Sequence, residues 1–198
     1  MPPVTLSLIF ANIAVFLLAQ NSPALSRLFE INFALWPLNS PPGYPGFAPW
    51  QLITYAFLHG GFAHIALNMY ALWMFGNDLE RVFGTRRFLQ LYFVSVVTAA
   101  LAQLLVSFVA GGNPVPVIGA SGGVFGVLLA YGMYFPRRTI VLLIPPIPMP
   151  AWVFVMIYGA IELFFGVTGT AQGVAHFAHL GGMLGAWLLI LQWRGKLF

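Results

Sequence analysis

The sequence predicts an all-α membrane protein, a bundle of six transmembrane helices, and three observations carry that expectation. Only 6% of the 198 residues are charged while 60% are hydrophobic, and the mean hydropathy is +0.89, too apolar for a domain with a hydrated surface. Apolar stretches close to the ~20 residues that cross hydrocarbon recur along the chain. Basic residues gather after alternate stretches, as positive-inside topology requires. No room is left for a separate soluble domain, so residues 1–198 read as a single membrane domain.

The start, MPPVTLSLIFANIAVFLLAQ, lacks a basic leader region and a small-residue cleavage site, so the first span, 4–20, reads as a retained helix. Residues 21–49 carry Pro23, Pro37, Pro41, Pro42, Pro45 and Pro49 and cannot form one helix. Their apolar side chains Leu25, Leu28, Phe29, Phe33 and Trp36 suit either a piece lying in the outer interface or a plain connector. Span two, 61–77, is followed by Arg81, Arg86 and Arg87, and span three covers 88–110. Span four, 119–135, is followed by Arg137 and Arg138. Pro145, Pro146, Pro148 and Pro150 lead into span five, 150–168, and span six, 173–193, ends at Arg194 and Lys196. Only Arg27 then lies outside, and both termini are expected in the cytoplasm. The net charge of +4 follows this topology. The partner it implies is the lipid bilayer, with no nucleic acid. Cysteine is absent, which excludes disulfides, thiolate metal sites and a cysteine nucleophile.

The chemistry centres on PVIGASGGVFG, residues 116–126, where one hydroxyl sits among glycines at the start of span four. The preceding GGNPVPVIG is too rich in glycine and proline to be helical, and irregular backbone at membrane depth needs protein or a wet cavity around it. From Ser121 to Pro136 there are 16 residues. That is ~24 Å of helix against a hydrocarbon thickness of ~30 Å. Ser121 is therefore expected to begin its helix below the outer surface, where unpaired N–H groups and the positive dipole end suit an oxyanion. Taken alone, the same serine reads more readily as a helix cap or a packing residue.

A partner base changes that reading. All four histidines, His59, His64, His176 and His179, fall near the outer ends of spans two and six, and ionisable groups in membrane helices tend to line functional cavities. Gly122 and Gly126 of span four and Gly181 and Gly185 of span six would let the two backbones approach closely, bringing Ser121 level with His179. His64 and Asn68 stack four residues apart on span two, where each could donate to an oxyanion. Asn68 reads alternatively as polar glue between helices.

These residues resemble the rhomboid family of intramembrane serine proteases. The matching elements are GASG around Ser121, AHLGG around His179, HGGFAHIALN from His59 to Asn68, and LERVFG after span two. The resemblance implies a rhomboid-like bundle, with Ser121 as nucleophile and His179 as general base. It implies an oxyanion hole from His64, Asn68 and the Ser121 backbone N–H, with Gly119 in the turn before the serine. Glu80 and Arg81 would belong to a cytoplasmic structural motif. Phe125 stands where some members have a tyrosine stacked on the base, keeping the ring without its hydroxyl. The substrates implied are transmembrane proteins, cut near the outer surface in a bacterial or archaeal plasma membrane. The mechanism uses a Ser–His dyad without a third acid, and neither metal nor cofactor is expected. His176 lies outside the match and is expected to line the helix face or a cavity.

Three other readings compete. The order Ser121, Glu162, His179 imitates an α/β-hydrolase triad, but GGNPVPVI is a poor central strand. Glu162, near the outer end of span five, is expected to snorkel or pair locally, with support of His179 as the alternative. A catalytically inactive rhomboid-like binding factor would be expected to lack the serine or the base, and both are present. Paired imidazoles, His176 with His179 or His59 with His64, could hold a metal, yet that leaves Asn68 and Ser121 unexplained.

Overall fold

The computed structural model describes residues 2–111, 115–141, 145–169 and 175–195. The chain is predominantly helical. Helix α1 runs Pro3–Asn21, α2 Pro23–Phe33 and the short α3 Gln51–Thr54. Helix α4, Phe62–Ala71, continues through one π turn, Leu72–Gly76, into α5, Asn77–Ala110. Then come α6, Ser121–Tyr134, α7, Ala151–Thr168, and α8, His176–Trp193. The predicted spans match these bounds closely, except that spans two and three, 61–77 and 88–110, extend toward each other as far as Gly84, and that residues 173 and 174 of span six lie outside the described residues.

Residues 62–110, a run of 49 residues, are two helices that meet at a kink at Gly84, whose φ of +74° and ψ of 164° are non-helical and favour glycine. Spans two and three are thus separate helices, divided by this kink rather than by a longer loop. One feature departs from the expectation, a small antiparallel ribbon in which β1, Thr139–Val141, pairs with β2, Pro148–Pro150, in the register Ile140↔Met149. The prolines leading into span five had suggested no strand. On a two-stranded ribbon every strand is an edge, so a strand can tolerate residues without N–H groups.

Local chemistry explains the helix starts. Pro23 occupies the first turn of α2, and the Ser22 hydroxyl accepts the Leu25 N–H at 3.1 Å. Helix α1 has no such cap of its own. Instead the buried Glu80 carboxylate accepts the N–H groups of Val4 and Thr5 at 2.9 and 2.7 Å and the Thr5 hydroxyl at 2.8 Å. An acid in the LERVFG segment thus completes a helix start some 75 residues away in sequence, where the dipole favours negative charge.

The core is built around α5, with Phe88, Leu91, Tyr92 and Val96 buried against α6 and α8. Glycines set the spacing. A Cβ at Gly182 of α8 would run into the Gly122 backbone of α6, whereas Cβ atoms at Gly181 and Gly185 would meet Ala102 and Thr98 of α5. The expected pairing of Gly181 and Gly185 with α6 is therefore corrected. The α6–α8 seam uses the next residue, Gly182, because Gly181 and Gly185 lie on the face turned toward α5. Outside, α7 exposes Trp152, Met156, Leu163, Phe164 and Val167, a face suited to hydrocarbon rather than water. The helices α1 and α7 and the run 62–110 are each long and apolar enough to cross a membrane.

Candidate active site

Ser121 is the first residue of α6. The turn that delivers it depends on Gly119, whose φ of +128° lies where side chains are strained. Space at Gly119 is equally restrictive, because a Cβ there would come within 2.7 Å of His64 Nε2 and 3.6 Å of Ser121 Oγ. The missing side chain leaves a hollow between the hydroxyl and an imidazole. The Gly119 N–H donates to the Tyr55 carbonyl at 3.0 Å, and the Ala120 N–H approaches His59 Nε2 at 3.5 Å. Burial, with His64 beside it, lowers the pKa of His59 to about 4. Its ring is therefore neutral at pH 7, and Nε2 keeps a lone pair for that N–H.

The close α6–α8 seam brings the predicted pair together. His179 Nε2 lies 2.8 Å from Ser121 Oγ. The Phe125 ring stacks on the imidazole with centroids 4.2 Å apart and planes 7° from parallel, so packing fixes the plane of the base. On α4, Asn68 is buried and donates through Nδ2 to the His64 carbonyl at 2.9 Å. That leaves it one further N–H. His59 and His64 meet edge to face at 4.9 Å between ring centroids.

For Glu162 the snorkelling expectation is corrected and the pairing one is met. This residue is only 8% exposed and does not snorkel. Its Oε2 accepts from His176 Nδ1 at 2.6 Å and lies 2.9 Å from His179 Nδ1. The second approach is an ion-pair contact, and His179 Nδ1 has no other hydrogen-bond partner. Both partners belong to α8, and the packing of α7 on α8 turns the carboxylate inward. The signal available in the sequence was an acid within predicted span five at the same end as His176 and His179. These three side chains also put potential metal-ligating atoms within 4.8 Å of one another.

A Rhomboid domain model matches residues 47–194. Rhomboid protein 1, mitochondrial, of Saccharomyces cerevisiae is 36% identical over 138 residues, covering 68% of this chain and 39% of the yeast protein. Rhomboid protease GluP of Bacillus subtilis is 33% identical over 136 residues, 69% of this chain and 24% of that protein. Rhomboid protease GlpG of Yersinia pestis is 29% identical over 186 residues, 92% of this chain and 59% of that protein. The chain thus spans between about a quarter and three fifths of these relatives' lengths.

Proposed function

Because the chain belongs to the rhomboid family, we propose that it is an intramembrane serine endopeptidase that cuts transmembrane segments of membrane proteins near the outer membrane surface. The observation that carries this reading is the 2.8 Å approach of Ser121 Oγ to His179 Nε2. It occurs at a helix start, where the backbone N–H groups lack intrahelical partners. His179 takes the Ser121 proton as Oγ bonds to the peptide carbonyl carbon, then gives that proton to the departing amine. Water hydrolyses the acyl-enzyme by the reverse roles. The Ser121 N–H, His64 and Asn68 are assigned to the developing oxyanion, with His64 reaching it through the Gly119 hollow. A side chain at Gly119 would close that route.

In this reading the helices make six crossings: α1, the two legs of 62–110 on either side of Gly84, α6, α7 and α8. The clustered arginines put both chain ends in the cytoplasm and the serine toward the outer side of a plasma membrane. The whole described chain then acts as one membrane domain.

The test is labelling of the detergent-purified protein by a serine-directed fluorophosphonate, with Ser121→Ala and His179→Ala alongside. Labelling that requires both residues is the expected result. A folded wild-type protein that does not label would refute the reading and favour a non-catalytic binding role.

A further inference from the structure

Glu162 satisfies none of the roles so far assigned. A carboxylate buried in an apolar helix bundle is costly unless it is paired. Here one oxygen, Oε2, is shared between two imidazoles of the next helix, bonded to His176 Nδ1 at 2.6 Å and 2.9 Å from His179 Nδ1. For Oγ of Ser121 to donate to His179 Nε2, the proton of the neutral ring must sit on Nδ1. That N–H is buried with no other hydrogen-bond partner, and a carboxylate oxygen stands beside it. The other face of the site is occupied by Phe125, stacked on the ring, which can fix its plane but not its tautomer.

Resting on the protease reading, we propose that Glu162 is a positioning residue that turns the Ser121–His179 pair into a triad. Its carboxylate holds the proton of His179 on Nδ1 and faces the positive charge that the ring acquires. As Oγ bonds to the carbonyl carbon, its proton passes to Nε2. Nδ1 keeps its own proton, the ring gains one positive charge, and the carbonyl oxygen gains one negative charge. Glu162 stays ionised throughout. His176 anchors the same carboxylate oxygen through Nδ1 at 2.6 Å. The 2.9 Å contact with Nδ1 of His179 strengthens once that ring is charged.

The experiment compares wild type with Glu162→Leu and Glu162→Gln in detergent, reading the second-order rate of fluorophosphonate labelling, the melting temperature and the 15N signals of His179. Those signals are assigned by their loss in His179→Ala. Leucine removes charge and acceptor together. The expected results are a loss of ~10²-fold or more in labelling rate and a shift of the His179 tautomer toward Nε2–H. Glutamine keeps an acceptor without the charge and is expected to lose ~10-fold or more while retaining the tautomer. Should Glu162→Leu fail to fold, the Glu162→Gln rate decides alone. Wild-type labelling with variants that label equally fast would overturn the positioning role and leave the protease reading intact. So would wild-type labelling that disappears on dialysis against EDTA and returns with zinc, because the cluster would then serve a metal. Absence of labelling in folded wild type would overturn the protease reading itself, and the triad with it.

Discussion

Gly182→Ala tests whether the α6–α8 seam sets the reactivity of the serine. A methyl at this position would lie 2.9 Å from the Gly122 carbonyl carbon and 3.3 Å from its Cα, and nearer still to the carbonyl oxygen. These are backbone atoms of a packed helix and cannot swing aside as a long side chain could. Restoring an ordinary contact of ~3.4 Å would part the helices by at least about 0.5 Å. The Ser121 Oγ–His179 Nε2 distance, now 2.8 Å, would then exceed the ~3.2 Å range of a good hydrogen bond. Overpacking of this kind costs about 1–3 kcal/mol, which for a chain of this size lowers the melting temperature by roughly 3–10 °C. A misplacement approaching 1 Å costs ~10²-fold in rate, so fluorophosphonate labelling is expected to slow ~10- to 100-fold. Gly46→Ala is the control, since a Cβ there meets nothing within 4 Å. A Gly182→Ala protein that melts lower yet labels within about twofold of wild type would refute the argument, because the pair would then be positioned independently of the backbone approach.

Two further outcomes follow from other parts of the structure. Glu80→Gln replaces a carboxylate that accepts three hydrogen bonds at the start of α1 with a group carrying one acceptor oxygen and two donors. The expected loss is about 2–4 kcal/mol, read as a lower melting temperature in detergent, and an unchanged melt would exclude the cap. For His59, the folded pKa of about 4 lies below the ~6.5 of an unfolded histidine. The unfolded chain then binds more protons, so the stability this residue contributes is complete above pH 6.5, erodes as the pH falls toward 4 and levels off below. Melting temperatures measured from pH 7.5 to 4.5 should fall more steeply for wild type than for His59→Asn, and parallel slopes would contradict the burial argument.

Much of this molecule is legible in one dimension because the bilayer demands long apolar helices, and periodicity and length are local properties. The bounds of α1, α6 and α7 were therefore readable to within about two residues, and Ser121 at a helix start followed from the glycines and prolines before it. The approach to His179 was inferred correctly from small residues on both spans, although the glycine that makes the contact was not. Gly181, Gly182 and Gly185 all permit close approach, and only the rotation of α8 between two neighbours decides which of them faces α6. The ribbon of β1 and β2 was hidden for a similar reason, since three-residue strands carry no period.

Glu162 marks the boundary most clearly. Its sequence position says that an acid lies near the outer end of an apolar helix, which snorkelling and inward pairing explain equally well. By itself, then, the sequence determined the helical membrane architecture and brought serine, histidine and asparagine to one end of it, because these follow from hydrophobic length and spacing. Only the tertiary structure decided that Glu162 turns inward onto His176 and His179 and that Glu80 caps α1. Each depends on how helices distant in sequence rotate and pack, and no local pattern specifies that rotation.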